Sequence, residues 1–164
     1  MIIEKILVAT DGSDVAVRAA QMAVMLAHTG ARRMVAVSVA QPQFSLAPEA
    51  SSIHGLEPAA DRALKAARAH VETAARIAKA GGVSCEVLVK LASSPGPEIV
   101  QTAEDYECDL IVMGSHGPSA VERGYAGSVA QYVLARSAIP VLVLRDPREV
   151  SPPEFRDDPP SQAT

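Results

Sequence analysis

The sequence predicts an α/β fold, an open five-stranded parallel sheet with helices on both faces. Five short apolar runs, rich in Val, Ile and Leu, recur along the chain. Between them lie segments whose apolar residues repeat at helical spacing, bounded by Gly, Pro, Ser or Asp. Because near-continuously apolar strands are typical of parallel sheets covered on both faces, this β-α alternation favours the parallel architecture.

The composition supports one globular domain and excludes several kinds of site. The chain has 164 residues, of which 48% are hydrophobic and 21% charged. Aromatic residues make up only 3%, so a site that stacks flat rings is disfavoured. The net charge is −4 and no block of Lys or Arg stands out, which disfavours nucleic-acid binding. Cys85 and Cys108 lack a paired spacing, so we expect two buried thiols rather than a disulfide or a zinc site.

The sequence carries no targeting or membrane signal that we can identify. Met1–Lys5 does not open a basic segment followed by a long apolar one, which is the pattern of a signal peptide. No apolar run approaches the roughly 20 residues that a membrane helix needs. We therefore expect a cytoplasmic protein that does not associate with membranes.

The first strand is predicted over Ile3–Thr10, a branched apolar run that stops at the turn signal Asp11–Asp14. The first helix is predicted over Asp14–His28, where apolar residues recur at helical spacing. Met25 of this helix is expected in the core.

The second strand is predicted over Met34–Val39. After it, Gln41–Glu57 carries prolines, serines and a glycine and is predicted to be a long irregular connection, a kind that is often functional. It is expected either to cover the site or to contact a partner. Pro58 suits the first turn of the second helix, which ends at Gly81–Gly82 and has one apolar stripe.

The second half of the chain continues the alternation. The third strand is predicted over Cys85–Leu91 and the third helix over Pro97–Tyr106. The fourth strand, Asp109–Met113, leads into a glycine-bearing loop, Gly114–Gly127.

The chain is expected to finish its fold with one more helix and strand. The fourth helix is predicted over Ser128–Arg136 and the fifth strand over Pro140–Leu144, where the proline stands at the tolerated first position. The folded domain is expected to span residues 1–145. Residues 146–164 contain five of the twelve prolines and little to bury, so a disordered tail is expected there.

Candidate binding residues follow two of the strands. Ligands of open parallel sheets bind beyond the carboxyl ends of the strands, where the strand order reverses. Asp11 follows the first strand, whereas Gly114 and Gly117 follow the fourth, and Gly127–Ser128 opens the fourth helix. Glycines let the backbone approach a ligand without a Cβ, and the first amides of a helix favour a phosphate. A phosphate-binding loop is therefore predicted over Gly114–Ser128.

These residues also have plainer interpretations. Asp11 could cap the first helix, although Ser13 is equally suited to that role and would leave Asp11 for a ligand. Gly127–Ser128 could be an ordinary helix start, but the two glycines that precede it favour phosphate binding. His116 could contact a phosphate, although we expect it to be a solvated loop residue. No role is assigned to the other histidines, His28, His54 and His70.

The glycine spacing, G-x2-G-x9-G-[ST] over Gly114–Ser128, resembles the nucleotide motif of the ATP-binding universal stress proteins. The segments Ile6–Ser13 and Ile139–Leu144 resemble that family as well. Three matching segments in the right order extend the resemblance over Met1–Arg145. It implies a Rossmann-like fold with the sheet order 3-2-1-4-5.

The resemblance implies an ATP site, with Mg²⁺ expected to accompany the triphosphate. Asp11 is expected to accept hydrogen bonds from the ribose hydroxyls, and Met113 to border the ribose. The adenine slot is expected to be lined by Ala9, Thr10 and Val39. The phosphates are expected to contact Gly114, Gly117, Gly127, Ser128 and Val129. No residue is assigned a catalytic role.

The resemblance also implies a homodimer, because the fifth strand of the family commonly pairs with that of a partner, here through Val141–Leu144. An ATP-binding regulatory protein of the stress response is the preferred interpretation. Two alternatives stay open: a slow ATP hydrolase that uses the same site, and a dimeric interaction scaffold whose nucleotide site is vestigial.

Overall fold

A computed structural model of the chain describes residues 3–30, 33–42, 59–117 and 126–147. The described elements are, in chain order, β1 (Lys5–Ala9), α1 (Asp14–Ala27), β2 (Arg33–Ala40), α2 (Ala59–Ala80), β3 (Ser84–Leu91), α3 (Pro95–Asp105), β4 (Leu110–Gly114), α4 (Ser128–Arg136) and β5 (Val141–Leu144). The predicted alternation of strands and helices is confirmed.

The five strands form one parallel sheet in the order β3-β2-β1-β4-β5, which confirms the predicted fold class and strand order. β1 lies at the centre, where Leu7 pairs with Val35 of β2 on one side and Ile111 of β4 on the other. The order of the strands reverses between β1 and β4. A crevice is expected at this point, beyond the carboxyl ends of the two strands.

Alternate residues of the central strand enter two separate apolar layers. Ile6 and Val8 are fully buried in the layer that includes α1 and α2. Leu7 is fully buried, and Ala9 nearly so, in the layer that includes α3 and α4. Because both faces of the sheet are covered, the central strands favour apolar residues at successive positions, and this explains their nearly continuous apolar runs.

The predicted apolar stripe of α2 is confirmed, since its buried residues recur every three or four positions: Ala67, Val71, Ala74 and Ala78. The opposite face of the helix is exposed and charged. An amphipathic helix of this kind packs one face on the sheet and leaves the other to solvent.

The start of α3 differs from the prediction. The helix begins at Pro95, two residues before the predicted start at Pro97, with Ser94 in an extended conformation as its N-cap. A proline in the first turn loses nothing there, because the amide that it lacks would have no partner within the helix. The Ser-Pro segment that was predicted to be a turn is therefore partly the first turn of the helix.

Two side chains are more exposed than predicted. Met25 was expected in the core, but 64% of its surface is exposed, because it lies away from the buried face of α1. Cys85 lies on the edge strand β3 and is only partly buried, whereas Cys108 is 5% exposed, as expected.

Some predictions fall outside the described residues. These include His54, the loop residues 118–125 and all but the first two residues of the predicted connection Gln41–Glu57. Of the predicted tail, only Asp146 and Pro147 are described, and Asp146 is 6% exposed with its carboxylate 4.0 Å from Arg18 of α1. The domain boundary at residue 145 stays a prediction. Among the described helices, none combines the length and the apolar character needed to cross a membrane.

Candidate functional site

A cleft of about 1120 Å³ lies at the carboxyl edge of the sheet, where the strand order reverses. The structure brings all ten predicted site residues to its walls: Ala9, Thr10, Asp11, Val39, Met113, Gly114, Gly117, Gly127, Ser128 and Val129. They come from β1, β2, β4 and the start of α4. Their convergence follows from the parallel sheet, because the carboxyl ends of its strands meet at one edge.

The turn after β1 holds Asp11 in a defined position. Ser13 caps α1, since its side chain accepts a hydrogen bond from the amide of Ala16 at 3.2 Å. Asp11 does not cap the helix, because its Oδ1 accepts from the amide of Ser13 at 2.9 Å. Its other oxygen, Oδ2, lies 2.8 Å from the position that a Cβ on Gly117 would occupy. Asp11 therefore joins the turn after β1 to the loop after β4.

The start of α4 forms another wall of the cleft. Gly127 is its N-cap residue and has no side chain with which to cap the helix. Its own amide donates to the carbonyl of Ser115 at 2.7 Å, which ties the helix to the end of β4. The amides that follow, from Ser128 onward, lie in the first turn, where an α-helix leaves N–H groups without partners in the helix. This end of α4 can therefore receive an anion.

Gly114 has a packing role in addition to its place in the cleft. A Cβ at this position would lie 2.9 Å from Cγ1 of Val15 and 3.2 Å from its Cβ. The glycine thus lets α1 pack closely against the end of β4. The sequence argument did not include this packing role.

The cleft carries few charged side chains. Among the described residues that line it, Asp11 is the only carboxylate, and no Lys or Arg is present. The basic groups there are two histidines, His70 and His116. Nδ1 of His116 lies 3.0 Å from the hydroxyl of Ser115, a side chain that is 1% exposed. His116, expected to be merely solvated, is held against the end of β4.

Sequence reasoning missed two contacts in the walls of the cleft. One joins α2 to β2, where Nδ1 of His70 lies 3.4 Å from the hydroxyl of Ser38. The other joins α3 to α4, where a Cβ on Gly96 would lie 2.6 Å from the ring of Tyr132. Both contacts join residues that are far apart in the chain. Local patterns could not have indicated either one.

Neither cysteine takes part in the cleft. Burial raises the pKa of Cys108 to about 11. Burial is also the main cause of the raised pKa of Cys85, with the charge of Glu86 adding to it. Both groups are therefore protonated thiols at neutral pH, and a thiolate nucleophile or metal ligand is disfavoured.

The chain matches a known protein family. The model of the universal stress protein family matches residues 3–145. A curated relative, the universal stress protein MJ0531 of Methanocaldococcus jannaschii, is 34% identical over 151 residues, which cover 89% of this chain and 84% of the relative. The chain belongs to the universal stress protein family.

Solved structures of the family share the fold. The universal stress protein UspA from Lactobacillus plantarum has a TM-score of 0.68 and 28% identity, covering 88% of this chain and 99% of its own. A universal stress protein solved in complex with cAMP has a TM-score of 0.63 and 26% identity, covering 88% of this chain and 98% of its own. That neighbour therefore binds an adenine nucleotide on a closely similar fold.

Proposed function

We propose that this universal stress protein binds ATP in the cleft at the carboxyl edge of its sheet and acts as a nucleotide-responsive homodimer in the stress response. The observation that carries the proposal is the meeting of three groups in one cleft: the Asp11 carboxylate, the Gly117 backbone and the start of α4. Their chemistry matches the parts of a nucleotide. A volume of about 1120 Å³ is ample for a ligand of this size.

The nucleoside is proposed to lie on the ends of β1 and β2. An ionised carboxylate accepts hydrogen bonds and donates none, so Asp11 is suited to a pair of ribose hydroxyls. Met113 at the end of β4 would border the sugar. The adenine slot would be formed by Ala9, Thr10 and Val39, where backbone groups read the edge of the base.

The phosphates are proposed to lie between the loop after β4 and the start of α4. The described wall offers no Lys or Arg at this point, so the favourable interactions must come mainly from amide groups, the Ser128 hydroxyl and the helix dipole. Gly114, Gly117 and Gly127 keep side chains away from this path, and Val129 supplies an additional amide.

Mg²⁺ would enter with the triphosphate. In the described part of the chain, no group of three or more His, Cys, Asp or Glu side chains is arranged to hold a metal ion. The proposed Mg²⁺ would therefore keep most of its waters and be bound largely by phosphate oxygens. This is the usual state of the ion beside a nucleotide.

The family comparison supports the same ligand class. The neighbour solved with cAMP shares 26% identity with this chain over nearly its full length. The ligand of that neighbour is a cyclic monophosphate, whereas the ligand proposed for this chain is a triphosphate. The glycine loop after β4 supports the additional phosphates.

The homodimer is proposed to form through β5. This strand is at the edge of the sheet, and all four of its residues, Val141–Leu144, are only partly buried. An apolar strand at the edge of a sheet is a ready surface for pairing with a second copy.

The proposal is tested by titrating the purified protein with Mg-ATP in a calorimeter, after a check for co-purified nucleotide. A double variant, Gly117→Val with Ser128→Ala, removes the space and the hydroxyl that the phosphates are proposed to use. We expect binding by the wild type and loss of binding by the variant. Binding by neither protein, with no nucleotide already bound, would favour the scaffold alternative. Release of phosphate at a steady rate would favour the hydrolase.

A further inference from the structure

We infer that His70 of α2 is a positioning residue for the nucleotide site, because its ring fixes the turn that carries Asp11. The inference rests on the proposed role of Asp11 toward the ribose. It gives α2 a role in positioning the site, although no site residue was predicted from this helix.

The ring of His70 lies directly on the backbone of Gly12. Gly12 has a φ of +78°, and a Cβ there would lie 2.4 Å from Cδ2 and 2.5 Å from Nε2 of His70. Both observations favour glycine, the first because residues with a side chain rarely adopt this conformation and the second because the imidazole occupies the space that a Cβ would need. The turn after β1 and the ring of His70 therefore pack as one unit.

The ring is held from the sheet as well. Its Nδ1 lies 3.4 Å from the hydroxyl of Ser38, with the direction of the hydrogen bond following the imidazole tautomer. Ser38 belongs to β2 and is 3% exposed, so its hydroxyl is a fixed partner within the fold. The amide of Thr10 donates to the carbonyl of Val37 at 2.9 Å, which anchors the turn to the same part of β2. The sheet thus fixes both the ring and the turn beneath it.

The other side of the turn faces the ligand. Asp11 precedes Gly12, and one oxygen of its carboxylate accepts from the amide of Ser13, while the other occupies the space that a side chain at Gly117 would need. A continuous series of contacts therefore runs from His70 through the turn to the loop after β4. Removal of the ring would free the turn on its α2 side, and the Asp11 carboxylate would lose its fixed direction.

The experiment compares two ligands, Mg-ATP and Mg-2′,3′-dideoxy-ATP, which differ only in the ribose hydroxyls. Calorimetric dissociation constants are measured for the wild type, His70→Ala, Asp11→Asn and the double variant. His28→Ala is the matched control, because His28 is an exposed histidine at the end of α1, outside the cleft. Thermal melts confirm that each variant is folded. Should His70→Ala melt at room temperature, Ser38→Ala, which keeps the ring and removes its hydrogen bond, takes its place.

The inference requires a selective and coupled loss. We expect His70→Ala to weaken ATP binding about tenfold and dideoxy-ATP binding less than about twofold. A tenfold effect is within the coupling that residues in contact commonly show. We also expect His70→Ala to add almost nothing in the Asp11→Asn background. The control variant should bind both ligands as the wild type does.

Three results would overturn the inference. An equal loss of both ligands would show that His70 supports the whole cleft rather than the Asp11 turn. Independent, additive losses in the double variant would show that His70 acts without Asp11. Unchanged ATP binding in His70→Ala would show that His70 has no role in nucleotide binding. If the wild type itself bound no ATP, the proposed function would fail first and the inference with it.

Discussion

The carboxylate of Asp11 lies against Gly117, with Oδ2 only 2.8 Å from the place where residue 117 would carry a Cβ. Asp11 follows β1 and Gly117 follows β4, and these strands are neighbours in the sheet. The group proposed for the ribose and the glycine proposed for the phosphates therefore form one contact. Bulk added at Gly117 is therefore expected to disturb the ribose contact of Asp11 as well as the phosphate path.

Gly117→Ala is expected to weaken ATP binding about tenfold, or about 1.4 kcal/mol, because the new methyl group displaces the Asp11 carboxylate. The displaced atom is the terminal oxygen of a side chain and not part of the backbone, so the free energy of unfolding should change by less than about 0.5 kcal/mol. Calorimetry and urea unfolding measure the two effects. Gly30→Ala is the matched control, since the nearest described atom to its Cβ would be the carbonyl oxygen of Ile3, at 3.7 Å. Wild-type affinity in Gly117→Ala would refute the contact as part of the site.

Ser13→Ala is expected to lower stability without changing ATP affinity, whereas Asp11→Asn is expected to lower ATP affinity without changing stability. Ser13 caps α1, so its loss should lower the free energy of unfolding by about 1 kcal/mol and leave ATP affinity unchanged. Asn at position 11 keeps an oxygen for the amide of Ser13, so the stability should hold while the affinity for ATP falls. Urea unfolding and calorimetry of both variants separate the two roles. A loss of stability in Asp11→Asn without a loss of affinity would favour the plainer interpretation of Asp11 as a structural residue.

The order of the elements could be predicted from the sequence because each signal is local. The apolar run before Asp11 is buried on both faces of the sheet, so it shows no alternation and indicates a parallel strand. The site residues could be found for a similar reason, since parallel topology brings the residues after β1 and β4 to one edge. The family resemblance added the strand order, which periodicity alone does not contain.

The contacts that the sequence could not predict depend on tertiary packing. His70 has no local feature that distinguishes it from a solvated histidine, and only the packing of α2 brings it to Gly12 and Ser38. Gly114 was predicted from its motif, but its contact with Val15 depends on how α1 crosses β4. Met25 has the hydrophobicity of a core residue, yet the rotation of α1 about its axis leaves it exposed. Side-chain chemistry alone does not fix such rotations.

Raised pH is expected to destabilise the protein through Cys108. Burial raises the pKa of this thiol from 9.0 to about 11, so the native state keeps the proton that the unfolded state releases near pH 9. Its contribution to stability is therefore present below about pH 9 and lost as the pH rises toward about 11. Cys85, whose pKa is also raised, chiefly by burial, acts in the same direction.

Comparison with Cys108→Ala isolates the effect of the buried thiol. Between about pH 9 and about pH 11, the free energy of unfolding of the wild type should fall more steeply than that of the variant. Urea unfolding at several pH values gives both slopes. Parallel slopes would show that Cys108 ionises equally readily in the native and the unfolded protein.

Val143→Pro is expected to convert the proposed homodimer to a monomer without loss of ATP binding. The amide of Ile111 donates to the carbonyl of Pro140 at 2.9 Å, and the amide of Ser115 donates to that of Leu144 at 2.7 Å. Because backbone groups alternate in direction along a strand, those of Leu142 also face β4, whereas those of Val143 face outward. A proline at 143 therefore removes a donor from the free edge and leaves the bonds to β4 intact.

Leu142→Pro is the matched control for the edge variant. This variant places the proline one position earlier, where the missing amide would have bonded to β4. Leu142→Pro should therefore lower the free energy of unfolding more than Val143→Pro does. Analytical ultracentrifugation gives the mass of each protein, and calorimetry gives its ATP affinity. A Val143→Pro protein that stayed dimeric would place the interface elsewhere. A monomer that had also lost ATP binding would instead link the interface to the cleft, because β5 supports Gly114 and Ser115 at the end of β4.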